Sequence, residues 1–90
     1  MLKRVYQNSF KSSIKLDSKR GRNLDLLDNV IEKLERRIPL EPKHRDHALV
    51  GKYRGYRECH IQPDWLLIYY IEGETIVFVR TGSHTDLFDR

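Results

Sequence analysis

One reversal in the second half constrains this chain more than any other feature. Trp65-Leu66-Leu67-Ile68-Tyr69-Tyr70-Ile71 is an unbroken run of the apolar, β-branched and aromatic residues that suit a pleated surface, and a mixed stretch with Tyr56, Cys59 and Ile61 precedes it. Gln62-Pro63-Asp64 separates the two and predicts a hairpin turn. Centred near Pro63, that turn sets His60 opposite Leu66 and leaves Asp64 and Trp65 at the same end of the ladder. Glu72-Gly73-Glu74 predicts a second turn, which returns the chain through Thr75 to Arg80. With its centre near Gly73, Arg80 falls opposite Leu66, and Thr81-Gly82-Ser83-His84 comes back to the end that holds His60 and Asp64. Two histidines, a carboxylate, an arginine and an indole are thereby expected at one rim of a sheet.

Upstream, Lys3 to Tyr6 reads as a short first strand. Ser9 to Arg20 carries Phe10, Ile14 and Leu16 among lysines, which predicts a helix with a narrow apolar stripe, stopped at Gly21. Asn23 suits the cap of a second helix, whose face Leu24, Leu27, Ile31, Leu34 and Ile38 recurs at alternating steps of three and four until Pro39. Leu40 to Gly55 is a long polar connection, and Leu87 and Phe88 anchor a short helical turn after the last strand. The expected fold is α+β: about four mostly antiparallel strands packed by an N-terminal helical hairpin, in the order β-α-α-β-β-β with a C-terminal helical turn. At 90 residues a single domain, 1–90, is expected.

The chain opens on Lys3 and Arg4 before any apolar core, and no apolar run approaches the roughly 20 residues of a membrane span, so cytoplasm is the expected location. The single Cys59 agrees with a reducing compartment. Charge is more telling. Between Arg36 and Arg57 seven Lys and Arg face two acidic residues, a local excess of +5 against +4 for the whole chain. That basic segment, with Lys52, Arg54 and Arg57, leads into the strand that ends at His60, a placement that favours phosphate contact.

All four histidines, His44, His47, His60 and His84, lie in the loop or at strand ends rather than on the helix faces. Imidazole exchanges protons near neutral pH, and arginine holds phosphate and stabilises developing negative charge. Together they point to phosphodiester cleavage, which in RNA needs neither metal nor covalent enzyme intermediate because the 2′-OH is the nucleophile. A metal held by His44, His47 and Asp64 is the lesser reading, since neither a cysteine pair nor an HExxH helix accompanies them. No cofactor is expected. Trp65 reads as core or, at the rim, as a stacking surface for a base.

Asp46-His47-Ala48-Leu49, Gly55 to Trp65 with its His-x-x-Pro-Asp-Trp, and Arg80-Thr81-Gly82-Ser83-His84-Thr85-Asp86-Leu87-Phe88 closely resemble the YafQ branch of the RelE/ParE superfamily of bacterial toxins. The resemblance covers the order of elements over essentially the whole chain. It implies a type II toxin that inhibits translation as a ribosome-dependent endoribonuclease, cutting mRNA in the A site and silenced by an antitoxin. By that resemblance the catalytic group is His47, His60, Asp64 and His84, with His84 the general acid and His60 or Asp64 assisting deprotonation of the 2′-OH. Arg80 and Arg57 would stabilise the transition state, and Trp65 and Phe88 would position the RNA. Ala48 departs from the proline common after the first histidine, which leaves that loop less fixed in φ.

The implied partners are mRNA on the ribosome and an acidic antitoxin, with DNA reached only through the antitoxin complex and no membrane. Two alternatives stand beside the nuclease: a basic module that blocks ribosomes without chemistry, and a gyrase-poisoning toxin of the same fold. The latter offers no reason for four imidazoles around a sheet end.

Overall fold

The computed structural model describes residues 1–88. Five strands form one sheet in the order β1-β5-β4-β3-β2. They are β1 (Lys3–Tyr6), β2 (His47–Ala48), β3 (Arg57–Gln62), β4 (Trp65–Glu72) and β5 (Thr75–Gly82). The helices are α1 (Asn8–Lys19), α2 (Leu24–Glu35) and α3 (His84–Phe88). The sheet is antiparallel except where β1 lies parallel to β5. The expected α+β architecture is present, with one strand more: the polar connection contributes β2 and two single turns of tight helix, Pro42–His44 and Gly51–Tyr53. Among the described residues no helix is long and apolar enough to cross a membrane.

The unbroken apolar character of β4 has a direct cause, since both of its faces are covered. Trp65, Leu67 and Tyr69 pack with Cys59, Ile61, Ile76 and Phe78 against Phe10 of α1 and Leu27, Val30, Ile31 and Leu34 of α2. Leu66 and Ile68 point the other way and are covered by Val79 and Leu87, with Leu49, Tyr56, Tyr70 and Phe88 around them. Alternation along one strand thus feeds two cores, and α3 is the lid of the second.

Helix ends follow backbone chemistry. After α1 the Gly21 N–H bonds the Ser18 carbonyl and the Arg22 N–H bonds that of Asp17, with Gly21 left-handed at φ 75°. This reciprocal cap needs positive φ, which glycine adopts without penalty. The same cap closes α2 with Arg37 at φ 59°, so the helix ends at Glu35 rather than reaching Ile38, which is 46% exposed. Pro39 disfavours helical geometry in Ile38, and the chain is already turned aside before it. On α1 the inward stripe is Phe10, Ile14 and Asp17; Leu16 points outward.

The first hairpin register is as expected, His60 opposite Leu66. The second differs by two residues: Gly82, not Arg80, faces Leu66. Gly73 and Glu74 alone form that turn, and an irregularity at Ile68/Tyr69 inserts one residue on β5. Gly82 has a steric reason to be glycine there. A Cβ would lie 2.9 Å from the Asp86 Oδ2 and 3.0 Å from its Cβ, where α3 folds back over the strand.

Candidate active site

Alternation on β3 places Glu58 and His60 on the face away from α1 and α2, opposite Cys59 and Ile61. At the end of β5 the chain leaves Gly82 and reverses into α3. Ser83 and Asp86 brace that reversal as a reciprocal cap: the Ser83 N–H donates to Asp86 Oδ2 at 3.0 Å and the Asp86 N–H donates to Ser83 Oγ at 3.1 Å. Residue 84 is thereby delivered to the β3–β4 turn. There a single oxygen, Asp64 Oδ1, accepts both the His84 backbone N–H at 3.0 Å and its Nδ1–H at 2.7 Å. Those two hydrogen bonds, the backbone one foremost, hold the Asp64 carboxyl below its ordinary value.

The rings of His60 and His84 stand 5.8 Å apart at 64°. His47 joins them from β2, opposite Glu58. Its Nδ1–H donates to the Arg45 carbonyl at 2.6 Å, which turns Nε2 toward Glu58 Oε2 at 3.8 Å. The other Glu58 oxygen lies 3.6 Å from His60 Nε2. Glu58, only 6% exposed, is a carboxylate seated between two imidazoles. It was missing from the residues expected at the rim, although a glutamate two positions before a histidine on a predicted strand must share its face.

Arg80 lies on this face in a row with Ile68 and Glu58 across three strands, and its guanidinium donates to the Asp86 carbonyl at 2.9 Å. Among the described residues it has no carboxylate partner. Phe88 is half-buried over the second core and meets the Tyr53 ring edge-on at 5.5 Å. Lys52 sits 5.5 Å over that ring, so the Gly51–Tyr53 turn brings one cation beside Phe88; Arg54 follows it, exposed.

Two expected substrate contacts lie elsewhere. Arg57 is on the opposite face of β3, where its Nε reaches Asp46 Oδ1 at 3.3 Å and the Tyr69 hydroxyl at 3.4 Å. The Tyr69 O–H donates to the same Asp46 oxygen at 2.6 Å, so Arg57 anchors the loop before His47. Trp65 is 0% exposed and has no surface for a base. Its Nε1–H is shared between Asp17 Oδ2 at 3.1 Å and Thr81 Oγ1 at 2.9 Å, and the Thr81 hydroxyl donates to the Leu66 carbonyl at 2.7 Å. Arg22 stacks 5.2 Å over the indole and forms an ion pair with Asp17 at 3.2 Å. Burial pushes the Asp17 carboxyl up, against the pull of Arg22.

Metal donors also differ from the expected set. His44 is turned into the protein, while Glu58, His60 and His84 each bring one ligand atom within 4.8 Å of the others. That nitrogen and oxygen set is the one a divalent cation would find among the described residues.

The family described as bacterial toxin of type II toxin-antitoxin system, YafQ, matches residues 2–89. The chain belongs to this toxin family. Its relatives include the mRNA interferase toxin YafQ of Escherichia coli K12, 36% identical over 84 residues that cover 92% of this chain and 91% of the relative. In fold, the family likeness extends to a copper-bound mutant toxin from Helicobacter pylori, with TM-score 0.94, 39% identity, and coverage of 98% of this chain and 100% of that one. It extends equally to the toxin in the E. coli DinJ-YafQ toxin-antitoxin complex, with TM-score 0.89, 34% identity, and 97% of each chain covered.

The link that holds the third histidine has a pH signature. Arg20 Nη1 lies 2.6 Å from Asp86 Oδ2 and, ahead of the Ser83 N–H, holds that carboxyl at about 2 against its ordinary 3.8. A carboxyl depressed in the folded state contributes stability above its unfolded pKa and loses it as pH falls through the folded value. Docking of α3 is therefore expected to weaken between about pH 4 and about pH 2. The Leu87 amide signal, followed by NMR on acidification, checks this: Arg20→Gln should move the loss to higher pH, and an unchanged transition contradicts the link.

Proposed function

We propose that this toxin is an endoribonuclease that cleaves mRNA on the ribosome by general acid and base chemistry. The observation that carries the reading is the pair of imidazoles 5.8 Å apart with Glu58 behind one and Asp64 behind the other. Glu58 and His60 take the proton of the 2′-OH as its oxygen attacks the adjacent phosphorus. On the far side the P–O5′ bond breaks, and His84 gives a proton from Nε2 to the leaving oxygen. The products are a 2′,3′-cyclic phosphate and a 5′-hydroxyl. Asp64, with both His84 donors on one oxygen, orients the acid and is not the base.

Arg80 carries its charge toward the same face, where it stabilises the charge gathering on the phosphorane. His47 supports Glu58 from the other side, and Phe88 beside Lys52 offers a ring and a cation to the flanking RNA. The ribosome would supply alignment that a 90-residue chain cannot, with the basic segment from Arg36 to Arg57 meeting ribosomal phosphate. The E. coli neighbour is seen in a toxin-antitoxin complex, and for this basic chain charge favours an antitoxin that is acidic. Cytoplasm is the compartment where these partners meet.

Incubating the purified chain with ribosomes translating a defined message tests the proposal. New ends carrying 5′-hydroxyl groups support it; stalled ribosomes on intact message would make the chain a binding module instead. Glu58→Gln keeps the shape of the residue and removes its basicity, so cleavage is expected to fall about 100-fold with ribosome binding retained. A loss smaller than about threefold would take Glu58 out of the proton transfer.

A further inference from the structure

We infer that His44, which the proposed chemistry leaves unused, is a positioning residue for His60 and His47. The inference rests on the nuclease reading for its kinetic consequence and on geometry alone for its structural one. His44 ends the tight turn Pro42–His44 and is 8% exposed. A carbonyl only accepts, so the 2.7 Å contact between His44 Nδ1 and the His60 main-chain oxygen fixes an N–H on Nδ1 in either charge state of the ring.

That bond falls where β3 has run out of ladder. β2 pairs only with Arg57 and Glu58, so beyond them, among the described residues, no strand lies along the outer edge of β3. It is also where the register of β3 slips, between His60 and Gln62. A cleft of about 620 Å³ lies beside it, lined by Leu26 of α2, by Arg45 and by Pro63 among others. At the level of His60 the loop is tied to β3 by the His44 ring, and two residues on it is held again by Asp46, which meets Arg57 and Tyr69.

Two catalytic groups depend on the tie. One is His60, whose own carbonyl is the acceptor. The other is His47, because residue 45, next after His44, is left-handed at φ 45°, ψ 46°, and its carbonyl receives the His47 Nδ1–H. Releasing His44 frees the strand position under one imidazole and the acceptor that aims the other. His84 is held separately, by Asp64.

His44→Phe keeps a ring in the space and removes the donor, whereas His44→Asn places an amide N–H where Nδ1 stood. In the Phe variant kcat is expected to fall about tenfold with KM within about twofold, and His44→Asn should restore most of the loss. Imidazole NMR signals provide the second readout, independent of RNA: those of His47 and His60 should move in the Phe variant while His84 stays in place. Unmoved His47 and His60 signals overturn the inference, as does an equal displacement of all three or a failure of Asn to rescue. If the wild-type chain cuts no RNA, the nuclease reading fails, and the ring signals alone still decide the positioning.

Discussion

His84→Gln is expected to lower RNA cleavage by about 10²- to 10⁴-fold while leaving the fold and ribosome binding in place. The size follows from what the residue supplies: a proton to the departing 5′-oxygen, without which a poor leaving group departs as an alkoxide. The tolerance of the fold follows from exposure, since the His84 side chain is 50% accessible and lies outside both cores. Glutamine retains hydrogen-bonding capacity but has no proton to give at neutral pH. Single-turnover cleavage of ribosome-bound message, beside a binding measurement on the same ribosomes, reads the two effects separately. Cleavage within about tenfold of wild type would assign the acid to another group.

Trp65→Ala should be the most damaging substitution for stability, at about 3–5 kcal/mol. The indole is 0% exposed, so its removal leaves a cavity between α1 and the sheet. It also strips the buried Asp17 and Thr81 of their shared donor and Arg22 of the ring beneath it. Trp65→Phe separates the parts. A benzene ring fills most of the space, but the lost N–H leaves a buried carboxylate oxygen unmatched, for about 1–3 kcal/mol. Urea unfolding of both variants checks these figures. A stacking role in RNA binding predicts the reverse, a weakened KM for Trp65→Phe with unchanged stability.

Much of this was written in the chain at the level of period and turn. Pro63 between two β-rich runs set the His60 register, and the Leu24-Leu27-Ile31-Leu34 face set α2 against the sheet. The approach of His84 to Asp64 needed only two hairpins of roughly the right length. What escaped reading was decided by facing or by inserted residues. Arg57 and Glu58 are adjacent, and the period of two sends one toward Asp46 and the other to the face of His60; charge and resemblance drew attention to the first and passed over the second. Trp65 takes the core alternative of its two readings; what was not foreseen is that Asp17 takes the third place on the α1 stripe and meets the indole there with a hydrogen-bond acceptor. A carboxylate three residues after Ile14 was the available signal. The register of Arg80 was displaced by one residue at the Gly73-Glu74 turn and by one more at an insertion that no hydrophobic pattern announces. The two-residue β2 was hidden for a related reason: its partner residues lie nine and eleven positions away across a loop with no alternation of its own.

The central claim is that the RNA's own 2′-oxygen is the nucleophile, with Glu58 and His60 on one side of the phosphate and His84 on the other. It is tested most directly by programming ribosomes with a message that carries a single 2′-O-methyl group at the mapped cleavage position. The account predicts that the wild-type chain leaves that position intact while still cutting the unmodified message to a 2′,3′-cyclic phosphate. Cleavage of the methylated position at the unmodified rate, with a 5′-phosphate on the new end, would contradict it, because water and not the ribose would then be the attacking group.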